Sequence, residues 1–417
     1  MEEVLEKPDL LGLKDIRLEK RFEKMLNKMF KSPTSSIPET FSNPYQAKAA
    51  YRFFDNSKVK SSNILKWHKA MTYQRISNMP EESTLFVIQD TSDINYSTHE
   101  SKKDIGPIHS KIHHGIKLHP SIVITPTRIP LGIIESKMWS REKTTSTITR
   151  SQKSIARRKV PIEEKESYRW LESMQASQEL ARKFPEKRII NIADRESDIS
   201  DYLTYCDNIK EKNLNYIIRG FQSRNTKEGK KLKYELNNQK PQGEISFTIK
   251  RGNKSQKVTQ EIKYKEFELN FPQTQSDQGT FKLTGILAKE KNVPEGKQGL
   301  EWLLLTNLEI KKVIDAIEVI ESYLCRWEIE IFFKVLKSGC KVEDLHLSEE
   351  KRIHNSLSMY MIVSIKVMFL MKFGREHPNL AGDLIFSELE WKCLYKVLDK
   401  VIPEQVPTLG ILIRLLG

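Results

Sequence analysis

Five polar side chains recur along one stretch of the sequence at a spacing that places them on a single face of a helix. They are Tyr323, Arg326, Glu330, Lys334 and Lys337. At about 100° per residue, these positions fall within a stripe roughly 80° wide. A carboxylate and several cations are costly to bury unless they have partners, and phosphate groups with metal ions would supply those partners. The stripe therefore predicts a site for phosphate and metal.

Apolar residues lie on both sides of this stripe. One flank consists of Leu324, Trp327, Ile331 and Val335, and the other of Ile329, Phe333 and Leu336. A helix with two apolar flanks is expected to be largely buried, so we predict that both flanks pack into the core. The ordinary alternative is a solvated helix on which Glu330 pairs with Lys334 one turn away.

Two further carboxylates each stand where an apolar run gives way to polar residues. Asp90 follows the candidate strand Leu85–Gln89, and Asp194 follows the candidate strand Arg188–Ala193. Strand ends of this kind are the usual location of a site in an open α/β sheet. Hard divalent cations prefer carboxylate oxygens, so Asp90, Asp194 and Glu330 form a candidate metal-binding set that only the fold could assemble. Taken singly, each aspartate could equally be a turn residue at a strand end.

Composition limits the class of protein. The 417 residues allow a substantial core and two or three domains. The formal net charge of +14 favours a polyanionic partner, nucleic acid ahead of an anionic membrane surface. Four widely spaced cysteines fit a reducing cytosol. With no signal-like start, and with its longest apolar run (359–371) too short to span a bilayer, the chain is expected to be cytoplasmic, without a membrane partner.

The first part of the chain has the pattern of a small basic helical domain. An amphipathic basic helix is predicted over residues 12–30, and Asn43-Pro44 is typical of the start of a helix over Tyr45–Asp55. A third helix is predicted from Ser62 to Ile76. We assign residues 1–76 to this domain.

Residues 77–345 show strands and helices in the order expected of a mixed central sheet, so the fold class is α/β. The predicted strands are Leu85–Gln89, Ile116–Thr125, Leu131–Lys137, Arg188–Ala193 and Tyr216–Arg219, the first three antiparallel neighbours, and the predicted helices are Tyr168–Phe184 and Asp198–Cys206. The stretch 140–159 is predicted to be a loop. Short alternating runs between glycine-rich turns predict a β-rich insertion over 220–299, and the sheet resumes at Trp302–Thr306.

Residues 346–417 are predicted to form a short helical C-terminal region. The sequence stops on an apolar run, Leu409 to Gly417, and we expect this region to be truncated. His119, inside a predicted strand, is expected to be a packed or hydrogen-bonded histidine rather than a zinc ligand.

Three motifs together resemble the DDE transposases of the bacterial insertion-sequence-four family, to which the transposon-five enzyme belongs. The motifs are Asp90-Thr-Ser, Asp194-Arg-Glu and a Tyr-Arg-Glu-Lys signature formed by Tyr323, Arg326, Glu330 and Lys337. The resemblance runs from about residue 10 to residue 345. It implies an RNase H-like catalytic core interrupted by the β-rich insertion, with a helical DNA-binding domain before it.

The resemblance also implies roles for individual residues. Asp90, Asp194 and Glu330 would be the catalytic residues and would hold two Mg²⁺ ions per active site, with Mn²⁺ as a substitute. The implied DNA contacts are Tyr323, Arg326, Lys334, Lys337, Trp302, Arg219, Arg17, Arg21 and Arg52. Among them, Trp302 would stack on a base flipped out of the duplex, and Arg17, Arg21 and Arg52 would grip the transposon end. Trp302 could also be a core residue, and the arginines an ordinary basic surface.

The implied function is cut-and-paste DNA transposition in a bacterial, nucleoid-associated protein. The partners would be double-stranded DNA, meaning the terminal inverted repeats of the transposon and the target, and a second copy of the chain in a DNA-bound homodimer. One alternative is a truncated, inactive derivative that binds ends or inhibits the active protein. Another is a structure-selective nuclease with the same fold.

Overall fold

The computed structural model describes residues 11–41, 43–98, 105–110, 112–142, 160–221, 223–251, 254–271 and 279–416. Most of the loop predicted over 140–159 lies outside these described residues.

Four helices form the N-terminal region, where the sequence predicted three. They are α1 (Ile16–Lys31), α2 (Ile37–Thr40), α3 (Pro44–Asp55) and α4 (Ser61–Ser77). The short helix α2 was not predicted. The predicted start at Asn43 is confirmed, because its side chain accepts a hydrogen bond from the backbone N–H of Tyr45, 2.9 Å away. Phe22 of α1 and Phe53 of α3 stack in the core between these helices.

The central sheet begins with six strands: β1 (Thr84–Gln89), β2 (Ser92–Asn95), β3 (Gly115–Ile124), β4 (Pro130–Trp139), β5 (Arg188–Ala193) and β6 (Leu214–Arg219). Strand β1 is antiparallel to β3, which is antiparallel to β4, so the predicted antiparallel neighbours are confirmed. On its other side β1 is parallel to β5, and β5 is parallel to β6. The short strand β2, which the sequence did not predict, pairs with β3.

The register between β1 and β5 brings two of the predicted acids level with each other. Ile88 pairs with Ile192, and Asp90 and Asp194 each follow two residues later. Because the strands are parallel and adjacent, both aspartates leave the sheet at the same edge.

Helices cover both faces of this sheet. Phe86 and Ile88 belong to a core shared with the N-terminal helices, whereas Leu85 and Val87 belong to a second core. This alternation follows from the two-residue period of a strand. The second core contains α5 (Tyr168–Lys183) and α6 (Ser200–Asp207), both close to the predicted helices.

The predicted β-rich insertion extends the same sheet. Strands β7 (Gly243–Arg251), β8 (Lys254–Asn270) and β9 (Thr280–Glu290) are antiparallel, and β9 joins β10 (Glu301–Thr306), which pairs with β6. Within the described residues the result is one sheet of 10 strands. A short helix, α7 (Leu232–Asn237), precedes β7 and was not predicted.

The helix that carries the polar stripe is interrupted twice. It consists of α8 (Val313–Leu324), a 3₁₀ turn (Cys325–Trp327), α9 (Glu328–Lys334) and a π turn (Val335–Gly339). A 3₁₀ turn has about three residues per turn instead of 3.6, so it rotates the residues that follow it relative to an uninterrupted α-helix.

One predicted flank is only partly confirmed. Ile329, Phe333 and Leu336 are buried as expected, but Trp327 of the other flank is 63% exposed. Its companions Leu324, Ile331 and Val335 are half-buried, and Ile331 and Val335 pack against the core. Glu328, which the sequence analysis did not place, is buried.

Three helices end the described chain: α10 (Glu350–Glu376), α11 (Glu388–Val397) and α12 (Leu409–Leu416). By length and composition alone α10 could cross a membrane, but 61% of its apolar stretch is buried inside this protein. It packs against α1, α3, α4 and β4 and is therefore the helix around which the N-terminal region and the sheet join.

Candidate active site

Each of the two aspartates at the sheet edge is oriented by a backbone N–H group from the residues that directly follow it in the chain. Asp90 Oδ1 accepts a hydrogen bond from the backbone N–H of Thr91 at 2.7 Å. Asp194 caps the turn Arg195–Ser197, where its Oδ1 accepts from the backbone N–H of Glu196 at 2.8 Å. Each carboxylate is half-buried and has its position set by its own loop.

Arg326 links the first of these acids to the stripe-bearing helix. Its Nη1 donates to Asp90 Oδ2 at 2.6 Å and lies 4.0 Å from Glu330 Oε1. The 3₁₀ turn and α9 pack against β1, which is why residues more than 200 positions apart in sequence can meet. The structure therefore brings Asp90, Asp194 and Glu330 to one edge of the sheet.

Burial and like charge act together on the aspartates. Burial, and next the negative charge of Asp194, raise the pKa of Asp90 to about 6, although the guanidinium of Arg326 opposes the rise. Burial also raises the pKa of Asp194. The edge thus holds more buried negative charge than its own cations neutralise.

We predict a pH dependence for the metal-free protein from this raised pKa. Between about pH 4 and pH 6 the folded chain retains a proton on Asp90 that the unfolded chain has lost, so stability falls as pH rises through that window. The loss attributable to Asp90 is about 1–3 kcal/mol by pH 7. Asp90→Asn has no carboxyl to titrate at this position, so it should not lose this part of the stability. The urea midpoint of the variant minus that of the parent should therefore increase as pH rises from about 4 to 6. If the urea midpoint changed equally with pH in the two proteins, this prediction would be wrong.

The side chains at this edge are of the chemical type that divalent cations prefer. Three carboxylates supply hard oxygen ligands, and burial raises the pKa of Asp90 and Asp194, so a cation beside them would favour their charged forms. Within the described residues, no group of three histidine, cysteine or acidic side chains is already arranged to hold an ion. Arg326 Nη1 lies within 4.0 Å of a carboxylate oxygen of both Asp90 and Glu330.

A row of aromatic rings leads from Arg326 to the insertion. The guanidinium carbon of Arg326 lies 5.9 Å from the ring centroid of buried Tyr323. The Tyr323 ring is 6.3 Å from that of Trp302, which stacks at 5.4 Å on Phe247 of β7 with planes 9° apart. Trp302 is half-buried, and one of its faces is covered by Phe247.

The other predicted DNA contacts lie at different positions around this edge. Lys337 is half-buried in the π turn, and Lys334 is exposed one turn beyond Glu330. Arg219 ends β6, and its Nη2 is 3.5 Å from the carbonyl oxygen of Glu301 on the neighbouring strand.

The predicted arginines of the N-terminal region lie on two of its helices. Arg17 is on α1, with a side chain 89% exposed and its Nε 3.3 Å from Asp15 Oδ1. Arg21, also on α1, is half-buried, and Arg52 of α3 is exposed.

Arg169, which the sequence reasoning missed, lies directly behind the aspartates. It is a buried residue of α5, and its Nε donates to Thr91 Oγ1 at 2.7 Å. Thr91 Oγ1 also lies 2.9 Å from Nδ1 of His119, which confirms that this histidine is packed and hydrogen-bonded. The only signal in the sequence was the position of Arg169 next to Trp170 on the apolar face of a predicted helix.

Two known protein families match this chain. The family described as transposase DNA-binding matches residues 9–59, which include Arg17, Arg21 and Arg52. The family described as transposase DDE domain matches residues 172–365, which include Asp194 and Glu330. Asp90 lies before the second match, so the family match does not cover it. The evidence that Asp90 lies beside Asp194 is the register between β1 and β5.

The two matches together cover more than half of the chain in the order that the sequence predicted. A DDE domain implies an RNase H-like core, a nuclease or transposase activity and divalent metal ions. The mixed sheet and the helical N-terminal region agree with that assignment. The chain therefore belongs to the DDE transposases, as found in the insertion-sequence-four family, and is a DNA-binding transposase with a DDE catalytic domain.

Proposed function

We propose that this transposase acts by cut and paste: it binds transposon ends, hydrolyses phosphodiester bonds there and transfers the freed strands to target DNA. The observation that supports the proposal most is the convergence of the three acids. Asp90 and Asp194 leave adjacent parallel strands at one level, and Arg326 lies against both Asp90 and Glu330.

Asp90, Asp194 and Glu330 are the residues that would hold two divalent cations, Mg²⁺ or Mn²⁺. When bound, such ions stabilise the charge on the entering and leaving oxygens and lower the pKa of water. The attacking groups are water and then a DNA 3′-hydroxyl, so the chain need supply no nucleophile of its own. The carboxylates of Asp90 and Asp194 are oriented by hydrogen bonds from the backbone N–H groups of Thr91 and Glu196.

Arg326 and Tyr323 would meet the phosphate beside the bond that is cut. Arg326 donates to Asp90 in the DNA-free protein, and a phosphate oxygen would offer the guanidinium a second acceptor of the same charge. Tyr323 could donate its hydroxyl to the next phosphate. Lys337 and Lys334 continue along the helix as point charges for the DNA backbone, and Arg219 would act from β6.

Trp302 would stack on a flipped base beside this helix. Stacking of this kind contributes roughly 1–3 kcal/mol per base. In the DNA-free chain Phe247 already covers one face of Trp302. A base could use that face only after Phe247 has moved aside with its strand β7, or it would have to approach from the other face.

The N-terminal region would bind the transposon ends through Arg17, Arg21 and Arg52. Contacts to phosphates position a duplex, whereas contacts to base edges specify its sequence. We propose residues 1–76, 77–345 and 346–417 as the DNA-binding, catalytic and C-terminal regions. On DNA the protein would act as a homodimer in the bacterial cytoplasm.

The proposal predicts cleavage of one particular DNA. Purified protein with Mg²⁺ or Mn²⁺ should cut DNA that carries the terminal inverted repeats flanking its own reading frame, and should join the freed 3′ ends to a target plasmid. A matched DNA with scrambled repeats should not be cut.

Two other outcomes would contradict cut-and-paste transposition. Binding of the repeats without cleavage at any metal concentration would indicate an inhibitory derivative. Equal cleavage of scrambled repeats and of branched DNA would indicate a structure-selective nuclease.

A further inference from the structure

The guanidinium of Arg169 has hydrogen bonds from all three of its nitrogens. Besides the Nε bond to Thr91 Oγ1, Nη1 donates to the carbonyl oxygen of Glu166 at 2.8 Å, and Nη2 donates to Glu196 Oε2 at 2.5 Å. The side chain is only 9% exposed, and its guanidinium carbon lies 5.1 Å from the ring centroid of Trp170. A planar group held at this many points has a fixed orientation.

The two side chains to which Arg169 donates hydrogen bonds belong to the two residues that orient the aspartates. Thr91 donates its backbone N–H to Asp90, and Glu196 donates its backbone N–H to Asp194. One rigid side chain therefore joins the loop after β1 to the loop after β5. The positive charge of Arg169 also lies close enough to Asp90 and Asp194 for both to raise its pKa, although burial lowers that pKa overall.

A chain of buried hydrogen bonds holds Thr91 from the other side. Because Arg169 can only donate, the Thr91 hydroxyl is free to donate to His119 Nδ1, and His119 Nε2 then donates to Gln89 Oε1 at 3.1 Å. Burial keeps the pKa of His119 well below its usual value, which fits this neutral form. Gln89 in turn donates to Asn191 Oδ1 at 2.6 Å, so the hydrogen-bonded chain reaches β5.

We propose that Arg169 is a positioning residue that fixes the separation and orientation of Asp90 and Asp194 before metal ions bind. This inference rests on the proposed metal-binding role of the two aspartates. Like charges at one sheet edge repel each other, and a buried cation behind them offsets that repulsion without occupying the face on which an ion would sit. Partners that orient metal ligands in this way typically contribute about 10–100-fold to metal affinity or activity.

The test measures Mn²⁺ binding directly, by the electron paramagnetic resonance signal of free Mn²⁺, with and without DNA ends. Arg169→Lys keeps the charge but cannot reach three acceptors, and Arg169→Met removes both charge and hydrogen bonds. We expect both to weaken Mn²⁺ binding by about 10–100-fold. The half-saturating Mn²⁺ concentration for cleavage should rise by a similar factor. Arg182→Met, an exposed arginine of the same helix, is the matched control.

Thr91 supplies a second, milder pair of variants in case the buried arginine cannot be replaced without unfolding. Thr91→Val removes the hydroxyl at nearly constant volume and should weaken Mn²⁺ binding several-fold, whereas Thr91→Ser should bind like the parent. If Arg169→Lys, or Thr91→Val where the arginine variants do not fold, bound Mn²⁺ as tightly as the parent, the positioning role would be overturned. A folded parent that bound no Mn²⁺ even with DNA would overturn the proposed metal site itself.

Discussion

Asp90→Asn and Glu330→Gln are expected to abolish cleavage of transposon ends while leaving the protein folded and able to bind DNA. Each replacement keeps the shape of the side chain and removes one negative charge from the proposed metal-binding set. We expect the cleavage rate to fall by roughly 10³-fold or more, which corresponds to about 4 kcal/mol of transition-state stabilisation. Single-turnover cleavage of a labelled end, at saturating protein and Mg²⁺, measures this loss.

Two nearby carboxylates provide matched controls for these variants. Asp93 on β2 is about as buried as Asp90 but pairs with Lys117, 2.5 Å away, and takes no part in the proposed site. Glu321 is an exposed residue of α8, on the same helical segment as Glu330. Asp93→Asn and Glu321→Gln should cleave within a few-fold of the parent. If Asp90→Asn cleaved as well as Asp93→Asn did, the assignment of the first acid would be wrong.

Much of this site could be predicted because it depends on local patterns. Apolar runs followed by an aspartate predicted both β1 and β5. For β5 the predicted bounds, Arg188–Ala193, were correct at each end. The parallel register that makes Asp90 and Asp194 neighbours is a property of the fold class. The assignment of metal-binding and DNA-binding roles to individual residues remains a prediction.

The parts that could not be predicted depend on contacts between distant segments. Arg169 meets Thr91 across 78 positions in sequence, and no local pattern distinguishes it from other arginines on amphipathic helices. The stacking of Phe247 on Trp302 likewise depends on how the insertion continues the sheet. The 3₁₀ turn at Cys325–Trp327 contains no glycine or proline that would mark it in the sequence, so the sequence analysis treated this stretch as one continuous helix.

Glu328, the first residue of α9 after this turn, lies in the core, and its charge is compensated there. Its Oε2 lies 2.7 Å from Nζ of Lys372 on α10, and its Oε1 lies 3.8 Å from Nη1 of Arg128. Glu328 is 1% exposed, and the side chain of Lys372 is 15% exposed. The pair therefore joins the helix that carries Glu330 to the long core helix.

Glu328→Ala is expected to cost about 3–5 kcal/mol of folding stability, because it leaves the ammonium of Lys372 buried without its partner. Urea unfolding followed by tryptophan fluorescence measures the change. Glu388→Ala, which breaks the exposed pair between Glu388 and Lys392 on α11, should have no measurable effect.

The double variant Glu328→Leu with Lys372→Leu separates the cost of an unpaired charge from the cost of lost packing. Replacing both members of a buried pair by apolar residues is often neutral or stabilising, so most of the lost stability should return. Cleavage activity should return with it only if packing alone holds the helix in place. A stable double variant that binds ends but cleaves poorly would show that the ion pair also sets where Glu330 stands relative to Asp90. If Glu328→Ala were instead as stable as the parent, the pair would have no role in joining the two helices.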